Sequence, residues 1–158
     1  MRPSKSLSDA IERAVPALLA IPAARTGVTS APGRWSPREI VGHLIDSASN
    51  NHRRFILAQQ QDDLVFPGYA QDAWVAVQRY RDAPWEELVS LWRGFNLHLA
   101  RVMEVTPESE LKRLRERHNL HLIAFNTFPP DQPATLEYLM QDYVDHLEHH
   151  VAQILART

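Results

Sequence analysis

Two histidines four residues apart near the C-terminus, His146 and His150, give the clearest chemical signal in the chain. On a helix, residues i and i+4 stand one above the other, so their imidazoles are close enough to share a metal ion at ~2.0–2.1 Å per bond. At ~100° per residue, both fall on the inner edge of the apolar stripe formed by Leu136, Leu139, Met140, Tyr143, Leu147, Val151 and Ile154. His149 falls on the polar side with Tyr138, Asp142 and Asp145, where a solvated histidine is expected. The spacing matches the H-E-x-x-H helix of zinc proteases, but Leu147 follows His146 and the acid is Glu148, which excludes that class. Two ligands alone are weak, and the same spacing suits two half-buried histidines at a bundle edge.

A third nitrogen has to come from another helix. His43 begins a polar line with Ser47, Asn50 and Arg54 at i, i+4, i+7 and i+11, beside the apolar stripe of Ile40, Val41, Leu44, Ala48 and Phe55. Such a line is expected where a bundle opens into a polar cavity. His98 lies at a similar edge of the following helix, and the pattern does not choose between the two. Three neutral imidazoles leave the charge of a divalent ion uncompensated, so a bound water is acidified and further positions stay open to substrate. Zinc or nickel suits three nitrogens, and iron and manganese are compatible as well. Asp46 and Asp142, one helical turn from His43 and His146, are candidate acids to orient the imidazoles or take part in the chemistry. Both also suit solvated helix acids. Asn50 and Arg54 are candidates to bind a polar or anionic substrate group, because a guanidinium holds a carboxylate in a fixed fork. A surface amide and a salt bridge are the alternative for that pair.

Four helices must position these residues. The first is predicted from Ser8 to Ala20, with Leu7, Ile11, Val15, Leu18 and Leu19 at helical spacing and a kink at Pro16. The second has the best start signal: Ser36 caps it, Pro37 takes the first helical position, Glu39 closes a capping box, and Trp35 staples onto Ile40. It is predicted to run to about Gln60. The third runs from about Pro84 to about Val105, with Leu88, Leu91, Trp92, Phe95, Leu99 and Val102 on one face. The fourth starts near Thr135 and reaches the C-terminus. Residues 61–83 hold a turn at Phe66-Pro67-Gly68-Tyr69 and then a short helix over Asp72–Tyr80. In residues 106–134, His121–Phe125 resembles a short extended run and Phe128-Pro129-Pro130 cannot be helical. The expected fold is all-α, a four-helix bundle with long crossover loops.

Composition narrows the function classes. The 158 residues fit one domain, 1–158, and a hydrophobic fraction of 44% lets it fold unaided. Net charge is -2, and no basic helix is present, which disfavours nucleic acid and membrane surfaces as partners. The absence of cysteine excludes disulfides, thiolate nucleophiles and cysteine-ligated zinc. No stretch approaches the ~18 apolar residues of a membrane span, and Met1–Asp9 lacks the features of a signal peptide. The expected location is cytoplasmic. Trp74, Trp85 and Leu97, read as exposed, make a homodimer plausible.

The stretch Trp35-Ser36-Pro37-Arg38-Glu39-Ile40-Val41-Gly42-His43-Leu44-Ile45-Asp46-Ser47, followed by Asn50, Arg54 and Phe55, resembles the DinB/YfiT-like superfamily of metal-dependent hydrolase-like proteins. So do His146-Leu147-Glu148-His149-His150 and the segment from Pro67-Gly68-Tyr69 to Trp74. The resemblance covers nearly the whole chain. It implies a four-helix bundle in which one histidine of the second helix and an H-x-x-x-H pair of the fourth bind a divalent metal. Carried over position by position, these are His43, His146 and His150. Where relatives more usually have a His-Pro turn before the last helix, this chain has Phe128-Pro129-Pro130. Relatives also include low-molecular-weight thiol transferases. Two functions are therefore expected: a metal-dependent enzyme that activates water or a small thiol towards a small-molecule substrate, or a non-catalytic metal- or ligand-binding stress-response protein.

Overall fold

A computed structural model describes residues 1–157, and all its regular structure is helical. The helices are α1 (Pro3–Leu19), α2 (Ala23–Thr26), α3 (Pro37–Leu57), α4 (Gln71–Gln78), α5 (Trp85–Val105), α6 (Glu108–Lys112), α7 (Leu120–Ile123) and α8 (Leu136–Leu155). A 3₁₀ turn covers Tyr80–Asp82. Four long helices form the bundle. α1 packs on α5 and α8, and α3 packs on the same two, so α1 and α3 face each other across the diagonal.

Directions follow from individual contacts. The Trp85 indole donates to the Leu18 carbonyl at 2.9 Å and Arg2 donates to the Glu104 carbonyl at 3.1 Å, so α1 and α5 are antiparallel. Arg157 donates to the Trp35 carbonyl at 3.0 Å, bringing the end of α8 to the start of α3. α3 and α5 run parallel: Gly42 meets Tyr80 just before α5, and further along His52 meets Phe95 and His98. A parallel pair in sequence obliges residues 58–84 to travel back along the bundle, and this return brings Tyr69 and Tyr80 beside α3.

The start of α3 follows its sequence signals closely. Ser36 accepts from the Glu39 amide, the Glu39 carboxylate accepts from the Ser36 amide at 2.7 Å, and Pro37 occupies the first turn. A Cβ at Gly42 would lie 2.1 Å from the Tyr80 ring, so only glycine admits the tyrosine against the helix there. At the far end, Leu64 bridges to His118 and Arg115 to Ala134, single rungs that tie the loops together.

Four local readings are corrected. α1 begins at Pro3 rather than Ser8, because proline at the first helical position gives up only an amide that has no partner anyway, and it continues through Pro16. His121–Phe125 is not extended: Leu120–Ile123 form a helical turn whose following amide, Ala124, donates to the Leu120 carbonyl. Trp85 is buried beneath α1 rather than exposed, while Trp74 and Leu97 do reach solvent. Leu91 leaves the buried face of α5 and is exposed.

Candidate metal centre and its cavity

α3 and α8 are antiparallel, so the first turns of one meet the last turns of the other, and three histidines converge there. His43, His146 and His150 each offer one ring nitrogen, and all three nitrogens lie within 4.8 Å of one another. His43 Nε2 faces His146 Nε2 at 3.1 Å. Two nitrogens bound to one ion at ~2.0–2.1 Å and a tetrahedral angle stand ~3.3 Å apart, so this pair is already at ligand separation. His98 is exposed on α5 beside His52, with ring centroids 5.1 Å apart, away from the other three. His149 is exposed, against Phe125.

The electrostatics favour neutral imidazoles. Burial lowers the pKa of His43 to about 4, with a smaller effect of His150. Burial lowers that of His146 to about 3, reinforced by the neighbouring histidines, and lowers that of His150 as well. Neutral rings are the form that donates a lone pair to a cation. His150 Nδ1 donates to Gln153 Oε1 at 2.9 Å, which turns its Nε2 inward. His43 Nδ1 is buried without a partner. Trp35 lies against His43 and Phe125 against His146, ring centroids 4.9 and 5.4 Å apart, so aromatic walls flank the cluster. The donor set therefore fits a divalent metal.

A cavity of about 290 Å³ runs from His146 and His150 down the seam between α3 and α8. α3 contributes Ser47, Asn51 and Arg54; the returning loop contributes Tyr69; residues 122–125 and Leu139 form an apolar wall. The Asn51 amide donates to the Ser47 carbonyl at 3.0 Å, and its oxygen accepts from Arg54 at 3.4 Å.

The other predicted residues are placed differently. Asn50 turns away and donates to the Asp46 carbonyl at 2.9 Å, so Asn51 takes the cavity position instead. Asp46 Oδ1 accepts from the Tyr80 hydroxyl at 2.7 Å and the Gln78 amide at 2.8 Å, and makes no hydrogen bond to a histidine. Asp142 accepts the backbone amides of Phe125 at 2.9 Å and Asn126 at 2.6 Å, and holds that segment over the cavity. Burial raises the pKa of both acids, and these hydrogen bonds act in the opposite direction. Asn51, Tyr69, Phe125 and Gln153 were not singled out from the sequence. Asn51, four after Ser47, and Gln153, three after His150, carry a helical-spacing signal; Tyr69 is marked only as part of the Pro67-Gly68-Tyr69 turn, and Phe125 belongs to a loop and carries none.

Comparison with known proteins places this arrangement. The protein named "Putative metal-dependent hydrolase YfiT" of Bacillus subtilis (strain 168) is 25% identical over 124 residues, which cover 77% of this chain and 63% of that one. "Putative metal-dependent hydrolase OB0413" of Oceanobacillus iheyensis is 26% identical over 122 residues, 77% of this chain and 64% of that one. The match thus spans less than two-thirds of the length of these curated relatives. Among solved structures, Bacillus subtilis YfiT, described as having an unusual four-helix bundle topology, superposes with a TM-score of 0.77 at 20% identity, over 98% of this chain and 83% of that one. A mycothiol-dependent maleylpyruvate isomerase superposes with a TM-score of 0.69 at 10% identity, over 96% of this chain and 59% of that one. At those identities the two structures establish the shared fold. The sequence profile of the DinB superfamily matches residues 6–154, from α1 through the histidines of α8, and the chain belongs to that superfamily.

Proposed function

We propose that the protein is a metal-dependent enzyme acting on a small molecule in the cavity between α3 and α8, with His43, His146 and His150 holding one divalent ion. One observation carries the reading: three imidazoles kept neutral by burial converge at the end of a polar cavity. The name shared by the curated relatives, "Putative metal-dependent hydrolase", supports it. Zinc or nickel suits the nitrogen donors. A divalent ion held by three neutral ligands supplies Lewis acidity, which lowers the pKa of a coordinated water or thiol. The reactions that fit are hydrolysis and transfer of a low-molecular-weight thiol to an electrophile; a thiol-dependent isomerase of the same fold favours keeping the second.

The chain's own residues bind and orient. Gln153 fixes the His150 ring, Trp35 and Phe125 keep bulk water from the imidazoles, and Ser47 and Asn51 offer hydrogen bonds to a substrate. Asp46 and Asp142 act as positioning residues for Tyr80 and for residues 125–126, since Asp46 Oδ1 and both Asp142 oxygens are engaged there.

Bound metal measured by mass spectrometry on tag-free protein tests the site. About one ion per chain is expected, lost in His43→Ala, His146→Ala and His150→Ala and kept in His98→Ala and His149→Ala. Retention in His43→Ala with loss in His98→Ala would sink the triad. Turnover of the metal-loaded protein on small esters, and on low-molecular-weight thiols with an aromatic chloride, tests the enzyme; metal binding with no turnover across that panel would support a binding role instead.

A further inference from the structure

The cavity that leads to the three histidines contains a buried cation that forms no salt bridge among the described residues. We propose that Arg54 anchors an anion subsite, so that the molecule accepted here is a small acid: its carboxylate or other oxyanion rests on the guanidinium and its apolar body lies along residues 122–125. This rests on the reading of the cavity as the working site and adds the chemical class of its ligand.

Arg54 is 7% exposed and lines the cavity three turns of α3 beyond His43, ~16 Å of helix rise. One of its terminal nitrogens donates to the Pro67 carbonyl at 3.1 Å, the other to Asn51 Oδ1 at 3.4 Å. Both acceptors are neutral. None of the ion pairs among the described residues includes Arg54. Asp142 acts on it through space only: it forms no salt bridge with Arg54, and its oxygens accept from the Phe125 and Asn126 amides. A guanidinium is always charged and carries five N–H donors in a planar fork, so donors remain for a ligand after two are used.

Burying an unpaired cation is unfavourable, and a ligand anion relieves it through paired, charge-assisted hydrogen bonds. The surroundings select further. Asn51 braces the fork, and Tyr69 lines the same cavity. Burial pushes the Tyr69 pKa up to about 12, so it faces the cavity as a neutral hydroxyl and does not repel an anion. The opposite wall is apolar, with Leu122, Ile123 and Leu139. A volume of about 290 Å³ limits the ligand to a small molecule.

Calorimetric titration of phenylacetate, its neutral amide phenylacetamide and phenyl phosphate into metal-free and zinc-loaded protein tests this. In the metal-free wild type, either acid is expected to bind at least tenfold more tightly than the amide. The tighter of the two acids identifies a carboxylate or a phosphate site. Arg54→Gln is expected to erase the preference and Arg54→Lys, which keeps the charge but not the fork, to retain part of it, with thermal melts confirming that both variants fold. Equal affinity for acid and amide in the wild type overturns the proposal without need of a variant. An acid preference that survives Arg54→Gln, or that appears only with zinc and ignores Arg54, also overturns it while leaving the metal site intact. Conversely, an Arg54-dependent preference in a protein that takes up no zinc supports the subsite and removes the metal-enzyme reading.

Discussion

Two polar clusters are buried at opposite ends of the bundle, and they are built on opposite principles. Where the end of α3 meets the start of α8, Arg115 is 2% exposed and its terminal nitrogens donate to the carbonyls of Ala58, Glu110 and Arg113 and to the Glu110 carboxylate. Asn119 beside it pairs with both the amide and the carbonyl of Phe66. Where the start of α3 meets the end of α8, His43 is 1% exposed, its Nδ1 lacks a partner, and its Nε2 faces another imidazole nitrogen. In the first cluster both terminal nitrogens of Arg115 are satisfied by the protein, with its Nε alone left over, and the cluster ties loops to helices. The second holds lone pairs at one point and leaves them to an outside group. A polar cluster that the protein itself satisfies stabilises the fold, whereas several lone pairs brought together without donors suit a bound cation.

Arg115→Ala should show the largest effect on stability. It leaves buried carbonyls without donors, with an expected loss of about 3–5 kcal/mol in urea unfolding; metal content per folded chain should not change. A loss under about 1 kcal/mol would deny the cluster its structural role. His146→Ala should do the reverse. Structural zinc is bound by ~10–16 kcal/mol shared among four ligands, so losing one weakens affinity roughly a hundredfold or more. The melting temperature of the metal-free protein should stay level or rise, and a sharp fall would show that the histidines also support the fold.

Acid sharpens the contrast. In the unfolded chain, imidazoles take up protons near pH 6.5, while burial keeps His43 and His146 neutral down to about 4 and about 3. Their contribution to metal-free stability is therefore complete above pH 6.5 and declines as pH falls towards 4 and 3. Urea midpoints measured between pH 7 and pH 4 should show this decline in the wild type and in Arg115→Ala, and a shallower one in His146→Ala. The smallest effect is expected for Gln153→Ala: it frees the His150 ring and should weaken metal binding about tenfold, at the low end for partners that orient a ligand. Unchanged affinity would show that packing alone aims the ring.

Much of both the fold and the candidate site is legible in the chain, because it depends on spacing within one helix. The capping box at Ser36 and Glu39 sets where α3 starts, and 3.6 residues per turn puts His146 and His150 on one face and His149 on another whatever surrounds them. Belonging to the DinB superfamily adds the bundle itself. What spacing cannot supply is which faces meet. His43 and His98 sit at equivalent edges of their helices, and the structure puts α3, not α5, against α8 at the histidine end. The same holds for side chains with a choice of partner. Asp46 is taken by Tyr80 and Gln78 from the returning loop, and Asp142 by the amides of residues 125 and 126, because crossovers that lack helical periodicity are packed by whatever donors the helices leave exposed. The sequence by itself determined the four long helices and most of the residues on their faces, Leu91 and the helical turn at 120–123 excepted; the tertiary structure alone decided that three imidazoles converge at the end of a cavity that Arg54 also lines, since that depends on helix order around the bundle and on loops whose paths no local rule fixes.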